Sequence, residues 1–351
     1  MRPTIESAQY HACVSTDSIL TPQGQIMAFE HQFLQLLELP TSSAASSLFL
    51  SPKLKEVLFK GQIHGVVLPD LPTRFPLSTF FSPRAKAFKQ STKTNGYVSP
   101  SPALPTQETP DISIGTVESI VQRAGCSQVR TVAAQLRSMG DIHSRLLTSA
   151  LELDATGSGG SLLLVSGGHP LRSFPLVERL LPSNSLKMLT MASKLRQAGE
   201  IPAGVQLWAV ENPLANIVER LEQKILAGAE TVIVQPPLLQ DVFEAWWDVA
   251  YSRGLMKDIR VVVGLPLITS ADNLAFWFSL TQTSGDRVKF RLDELRKVEA
   301  TCSKDLQARR AYFKKETQDL MKFTKSLPGV AGIHFMPVTP SGWRQFAEII
   351  E

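Results

Sequence analysis

Cysteine is scarce in this chain. Only Cys13, Cys126 and Cys302 occur, far apart and with no CxxC pair. That excludes a cysteine-based structural zinc site and argues against a disulfide framework. The six histidines (His11, His31, His64, His143, His169 and His334) show neither HxxxH nor HExxH spacing, so the helical metal-binding pair is missing as well. No apolar run reaches the ~18 residues that a membrane helix needs. Charge of one sign is also in short supply. Lys+Arg number 36 against 32 Asp+Glu, a net charge of +4. An excess so thinly spread leaves no footprint of a nucleic-acid binder. The N-terminal stretch MRPTIESAQYHACVSTDS holds one arginine and two acids, Glu6 and Asp17. It lacks the apolar core of a signal peptide and the Arg-rich, acid-poor character of a transit peptide. The expectation is a soluble protein of a reducing compartment, the cytoplasm or an organelle, with neither membrane nor nucleic acid as partner.

What is present suits a large α/β core. The 351 residues are 43% hydrophobic and 19% charged, enough for two domains or for one barrel of about 250 residues or more. Residues 1–31 carry little periodic pattern and read as a leader or capping segment. From 32 to 351, short apolar runs alternate with stretches of helical period, as parallel strands joined by crossover helices do. Eight strands are expected, at 33–38, 64–68, 129–135, 161–165, 205–210, 230–235, 259–263 and 331–336. Most are rich in Val, Ile and Leu on both faces, as strands covered on both sides should be. Helices are expected at 217–227, 241–251, 303–326 and 342–350, among others. Eight strand–helix units make a (β/α)8 TIM barrel. The rival, an open doubly wound sheet, favours fewer strands and a GxGxxG turn after the first, which is not found. Residues 82–112 break the rhythm. They are rich in Pro, Ser and Thr, and read as a disordered insertion. The alternative is a mobile lid over the carboxyl-terminal face, its basic start (Arg84, Lys86, Lys89, Lys93) meeting an anionic ligand.

Polar side chains at the ends of apolar strands are the candidates for chemistry. Alternation places Leu34, Leu36 and Glu38 on one face of the first strand. Glu38 therefore tops a column of leucines, where apolar walls raise a carboxyl pKa and suit a general acid. A rim glutamate in water is the plain alternative. Gln235 ends the sixth strand; an amide both donates and accepts, which suits a heterocycle of mixed edges, or a tie between loops. After the fourth strand, Gly167, Gly168 and His169 form a turn in which backbone can approach a ligand. A simple strand-to-helix turn reads equally. Trp246 and Trp247, on an expected outer helix, are an ordinary helix–helix contact or an interface with a homo-oligomer or protein partner.

Six stretches, in order, resemble the methylenetetrahydrofolate reductase family of flavin-bearing barrels. They are LELP at 37–40, VVLPDLP at 66–72, LLLVSGGHP at 162–170, ENP at 211–213 with ERLEQKILAGAETVIVQPPL at 219–238, VVVGLPLITSADNLAFW at 261–277 and LPGVAGIHFMPV at 327–338. The resemblance runs from about 33 to 350. It implies reduction of 5,10-methylenetetrahydrofolate to 5-methyltetrahydrofolate by NAD(P)H, with bound FAD taking and passing on the hydride. It puts Glu38 at the position of the acid that protonates the folate N10 side, Gln235 at that of the glutamine gripping the pterin, and Lys224 at that of a lysine holding the flavin phosphates. Because the sequence ends with the barrel, the adenosylmethionine feedback of longer eukaryotic relatives is not expected.

The departures from that family are specific. Gly168 replaces the aspartate of its G-D turn, and His169 follows as a candidate phosphate contact. The third strand runs into QLRSMGD at 135–141, where Arg137 stands as a further candidate phosphate contact. ENPLAN replaces the usual Y-P-E-x-H, and Val234 stands where a threonine precedes the glutamine. Two readings follow: a divergent flavin-dependent reductase, or a barrel without cofactor that serves as a binding or structural subunit.

Overall fold

The computed structural model describes residues 33–39, 52–70, 120–134, 137–157, 159–166, 184–215 and 217–350. Eight strands, β1 (Leu34–Glu38), β2 (Gly65–Leu68), β3 (Ser127–Ala133), β4 (Gly160–Val165), β5 (Gln206–Glu211), β6 (Thr231–Val234), β7 (Arg260–Pro266) and β8 (Val330–Met336), pair in sequence order and close on themselves. Every pairing is parallel, including the closing one, in which Leu34 faces Gly332 and Leu36 faces His334. The chain is a (β/α)8 TIM barrel, as its alternation implied. All eight expected strands are present, with ends displaced by a few residues. The expected leader at 1–31 and insertion at 82–112 lie outside the described residues.

Register and alternation fix which residues fill the barrel. Leu34, Leu36 and Glu38 point inward from β1, with Gly65 and Val67 of β2 and Gly332, His334 and Met336 of β8 beside them. Outward residues meet the helices: α1 (Pro52–Phe59), α2 (Met139–Ala155), α3 (Ser185–Gln197), α4 (Glu219–Leu226), α5 (Gln240–Ser252), α6 (Ala271–Leu280), α7 (Asp286–Thr301), α8 (Leu306–Ser326) and α9 (Pro340–Ile349). Two apolar belts result. One packs Leu162, Leu164, Leu207, Val232 and Val261 under α2, α3 and α5. The other packs Leu37, Val66, Leu265, Ile333 and Phe335 under α1, α6, α8 and α9. Burying one such side chain fully contributes roughly 1.5–3 kcal/mol.

Local chemistry starts these helices where the strands release the chain. Ser138 and Asp141 cap each other's backbone at α2, and Ile142, Leu146, Ala150 and Leu153 then form its buried stripe. Asn184 caps α3, and Thr339 caps α9 with Pro340 at the first turn. Trp246 and Trp247 are fully buried and pack with Phe243, so the tandem pair is core. Leu306 is 52% exposed, because it occupies the first turn of α8 at the rim. Gly332 permits the closure: a Cβ there would lie 2.3 Å from the Leu34 carbonyl oxygen.

Candidate functional site

Glu38 stands at the carboxyl-terminal end of β1, on the inward face. Its side chain keeps 28% of its surface at the barrel mouth, and Oε2 lies 3.5 Å from Nε2 of His334. Burial raises the Glu38 pKa to about 7 and lowers that of His334 to about 3. The neighbouring imidazole is thus neutral at physiological pH and gives the carboxylate no cationic partner, so Glu38 keeps its proton up to about pH 7. Both ring nitrogens of His334 are shielded from solvent and, among the described residues, make no hydrogen bond. A buried imidazole without partners is uncommon, and this one faces a carboxyl that titrates near neutrality. Sequence reading named Glu38 but gave His334 no role, although a lone histidine in the apolar run VAGIHFM was visible.

Gln235 follows β6 directly, and its backbone N–H continues the ladder by donating to the Glu211 carbonyl at 2.8 Å. It lines an open cleft of about 640 Å³ with Val165, Ser166, Val210, Arg220 and Lys224. Glu38 and Gln235 therefore stand at the same end of the barrel. They occupy different sectors of it: Glu38 lies beside β8, and the cleft is lined from the β4–β6 side.

Lys224 reaches inward from α4. Its Nζ lies 2.5 Å from Glu211 Oε2 and donates to the Val210 carbonyl at 2.6 Å. The two side chains are 10% and 2% exposed. Burial lowers the Lys224 pKa, and Glu211 opposes that shift. The ammonium group is engaged within the protein, at the end of β5. Arg220, on the same helix, is an exposed cation in the cleft wall.

Arg137 is similarly engaged. It donates to both carboxylate oxygens of Asp70 and, at 2.6 Å, to the carbonyl of Ala133. Asp70 also accepts the Ala133 N–H at 3.1 Å, so the pair ties the ends of β2 and β3 together. Gly168 and His169 lie outside the described residues. Among the described residues, no cluster of three or more His, Cys, Asp or Glu could hold a metal ion, and no helix is long and apolar enough to cross a membrane.

No protein-family model matches the chain, and no curated protein sequence does. Solved structures similar to it include an uncharacterised protein from Clostridium thermocellum that binds two copies of 5-methyl-5,6,7,8-tetrahydrofolic acid. It shows 12% identity over 91% of this chain and 95% of that one, with a TM-score of 0.45. EDTA monooxygenase from Chelativorans sp. BNC1 shows 11% identity over 91% and 94%, with a TM-score of 0.41. The tryptophan synthase α-subunit of Pyrococcus furiosus shows 14% identity over 83% and 98%, with a TM-score of 0.35. Likeness at this level assigns no chemistry; the fold stands on the strand pairings described above.

Proposed function

We propose that the chain is a flavin-dependent reductase that converts 5,10-methylenetetrahydrofolate to 5-methyltetrahydrofolate, with NAD(P)H as reductant. The observation that carries this reading is Glu38, a carboxyl at the barrel mouth that holds its proton up to about pH 7. The reduction consumes one hydride and one proton. Glu38 delivers the proton to the N10 side as the five-membered ring opens, and a general acid whose pKa lies near the working pH serves that step best. Neutral His334 leaves that proton on the carboxyl, because it offers no positive charge to stabilise the carboxylate. Gln235 offers both a donor and an acceptor to the pterin edge. FAD, when bound, supplies the hydride relay between the nicotinamide and the folate. The cleft offers a flavin both apolar surface and polar side chains, with exposed Arg220 rather than engaged Lys224 as the cation to meet its phosphates.

The test is Glu38→Gln. The variant should keep its flavin and still oxidise NAD(P)H with an artificial acceptor, yet lose folate reduction by about 10²–10⁴-fold. Normal folate reduction by that variant would overturn the assignment. One observation favours a second reading, a binding or structural barrel without cofactor. The lysine that the family resemblance gives to the flavin is closed onto Glu211. Purified protein that is colourless and takes up no added FAD would establish that reading instead.

A further inference from the structure

A second concave site lies between α8 and α9. The first turns of α8 and α9 and the segment after β7 enclose a crevice of about 300 Å³, which shares no lining residue with the cleft at Gln235. Arg309, Arg310, Lys314 and Arg344 line it, with Glu348 the one carboxylate. Glu348 lies 3.4 Å from Lys314. Among the described residues, no ion pair engages the three arginines. Arg309 feels Glu299 only through a longer-range attraction, and Arg344 donates to the Ser341 hydroxyl at 3.3 Å. Like charges gathered in one concavity repel unless an anion relieves them.

The walls are prebuilt. Gln345 is buried and donates to the Phe313 carbonyl at 2.9 Å and to the Thr317 hydroxyl at 2.8 Å, which fixes α9 against α8. The start of α9 also contributes. Pro340 has no N–H, and Thr339 takes the amides of Gly342 and Trp343 through its hydroxyl and carbonyl. The remaining first-turn donor is Ser341, which lines the crevice, and a helix N-terminus favours negative charge. Thr269, in the opposite wall, has a hydroxyl shielded from solvent with no hydrogen-bond partner among the described residues.

We propose that this crevice binds a small phosphate-bearing molecule, held by Arg309, Arg310 and Arg344 and by the first turn of α9. Forked guanidinium groups match phosphate oxygens in a way that a diffuse basic patch does not. The site does not depend on the reductase reading.

The experiment is calorimetric titration of the full chain with pyrophosphate and with inorganic phosphate, in buffer of matched chloride. Saturable binding at one site is expected, weakened at least tenfold in R310A/R344A, two exposed positions whose loss leaves the core intact. On the wild-type chain, pyrophosphate should also protect Arg310 and Arg344 from phenylglyoxal, a readout that needs no variant. Absence of saturable binding, equal affinity in the variant, no protection, or succinate binding as tightly as pyrophosphate would each overturn the proposal.

Discussion

Glu38 and Glu211 are both glutamates ending a strand at the same rim of the barrel, and their fates are opposite. Glu211 turns outward, where Lys224 from α4 meets it at 2.5 Å. Glu38 turns inward, where its neighbour is an imidazole held neutral by burial. The first carboxylate is compensated and serves architecture. The second is uncompensated and carries an exchangeable proton near neutral pH. Which neighbour the strand's alternation supplies decides whether a buried acid braces the fold or remains available for chemistry.

The largest expected effect comes from breaking the compensated side. Lys224→Met leaves Glu211 buried without a cation and should cost about 3–5 kcal/mol of stability, read as a fall in urea midpoint at pH 7. The double variant K224M/E211Q should recover most of that loss, since it is the orphaned charge that destabilises.

The uncompensated side should show its character through pH. The folded pKa of Glu38 is about 7 against 4.5 for the free side chain. The unfolded chain therefore gives up this proton first as pH rises, and each step from 4.5 to 7 favours unfolding. Glu38→Gln removes that contribution. The variant should match wild type near pH 4.5 and exceed it by about 3 kcal/mol at pH 8. A pH-independent difference between the two would refute the raised pKa.

His334 should give a smaller effect with the opposite slope. Its folded pKa is about 3 against 6.5, so the unfolded chain gains a proton as pH falls below 6.5, and folding stability is lost. Relative to wild type, His334→Gln should gain about 2 kcal/mol between pH 6.5 and 5. Denaturant midpoints across that range measure it.

The barrel was legible because each strand repeats one message, apolar on both faces, and each crossover carries a helical stripe such as Ile142, Leu146, Ala150 and Leu153. The site was legible in part. Glu38 and Gln235 are polar residues ending apolar strands, and one chain segment suffices to notice each. The engagement of Lys224 was not legible, because it turns on a single residue. The expected fifth strand stopped at Val210, and only its extension through Glu211 sets that carboxylate facing α4. Arg137 was hidden in the same way: Asp70, which holds it, lies at the end of another strand, 67 positions away. The pairing of Glu38 with His334 was the least accessible. Glu38 is noticeable alone but His334 is not, and only the last crossover brings them together.

That closure also sets a schedule for the newborn protein. The first strand finds its final neighbour only in residues 332–335, so during synthesis the cylinder stays open until nearly three hundred further amino acids have left the ribosome. Until then Glu38 lacks the wall that β8 supplies and part of the burial that raises its pKa. The acid is armed by the last strand to arrive.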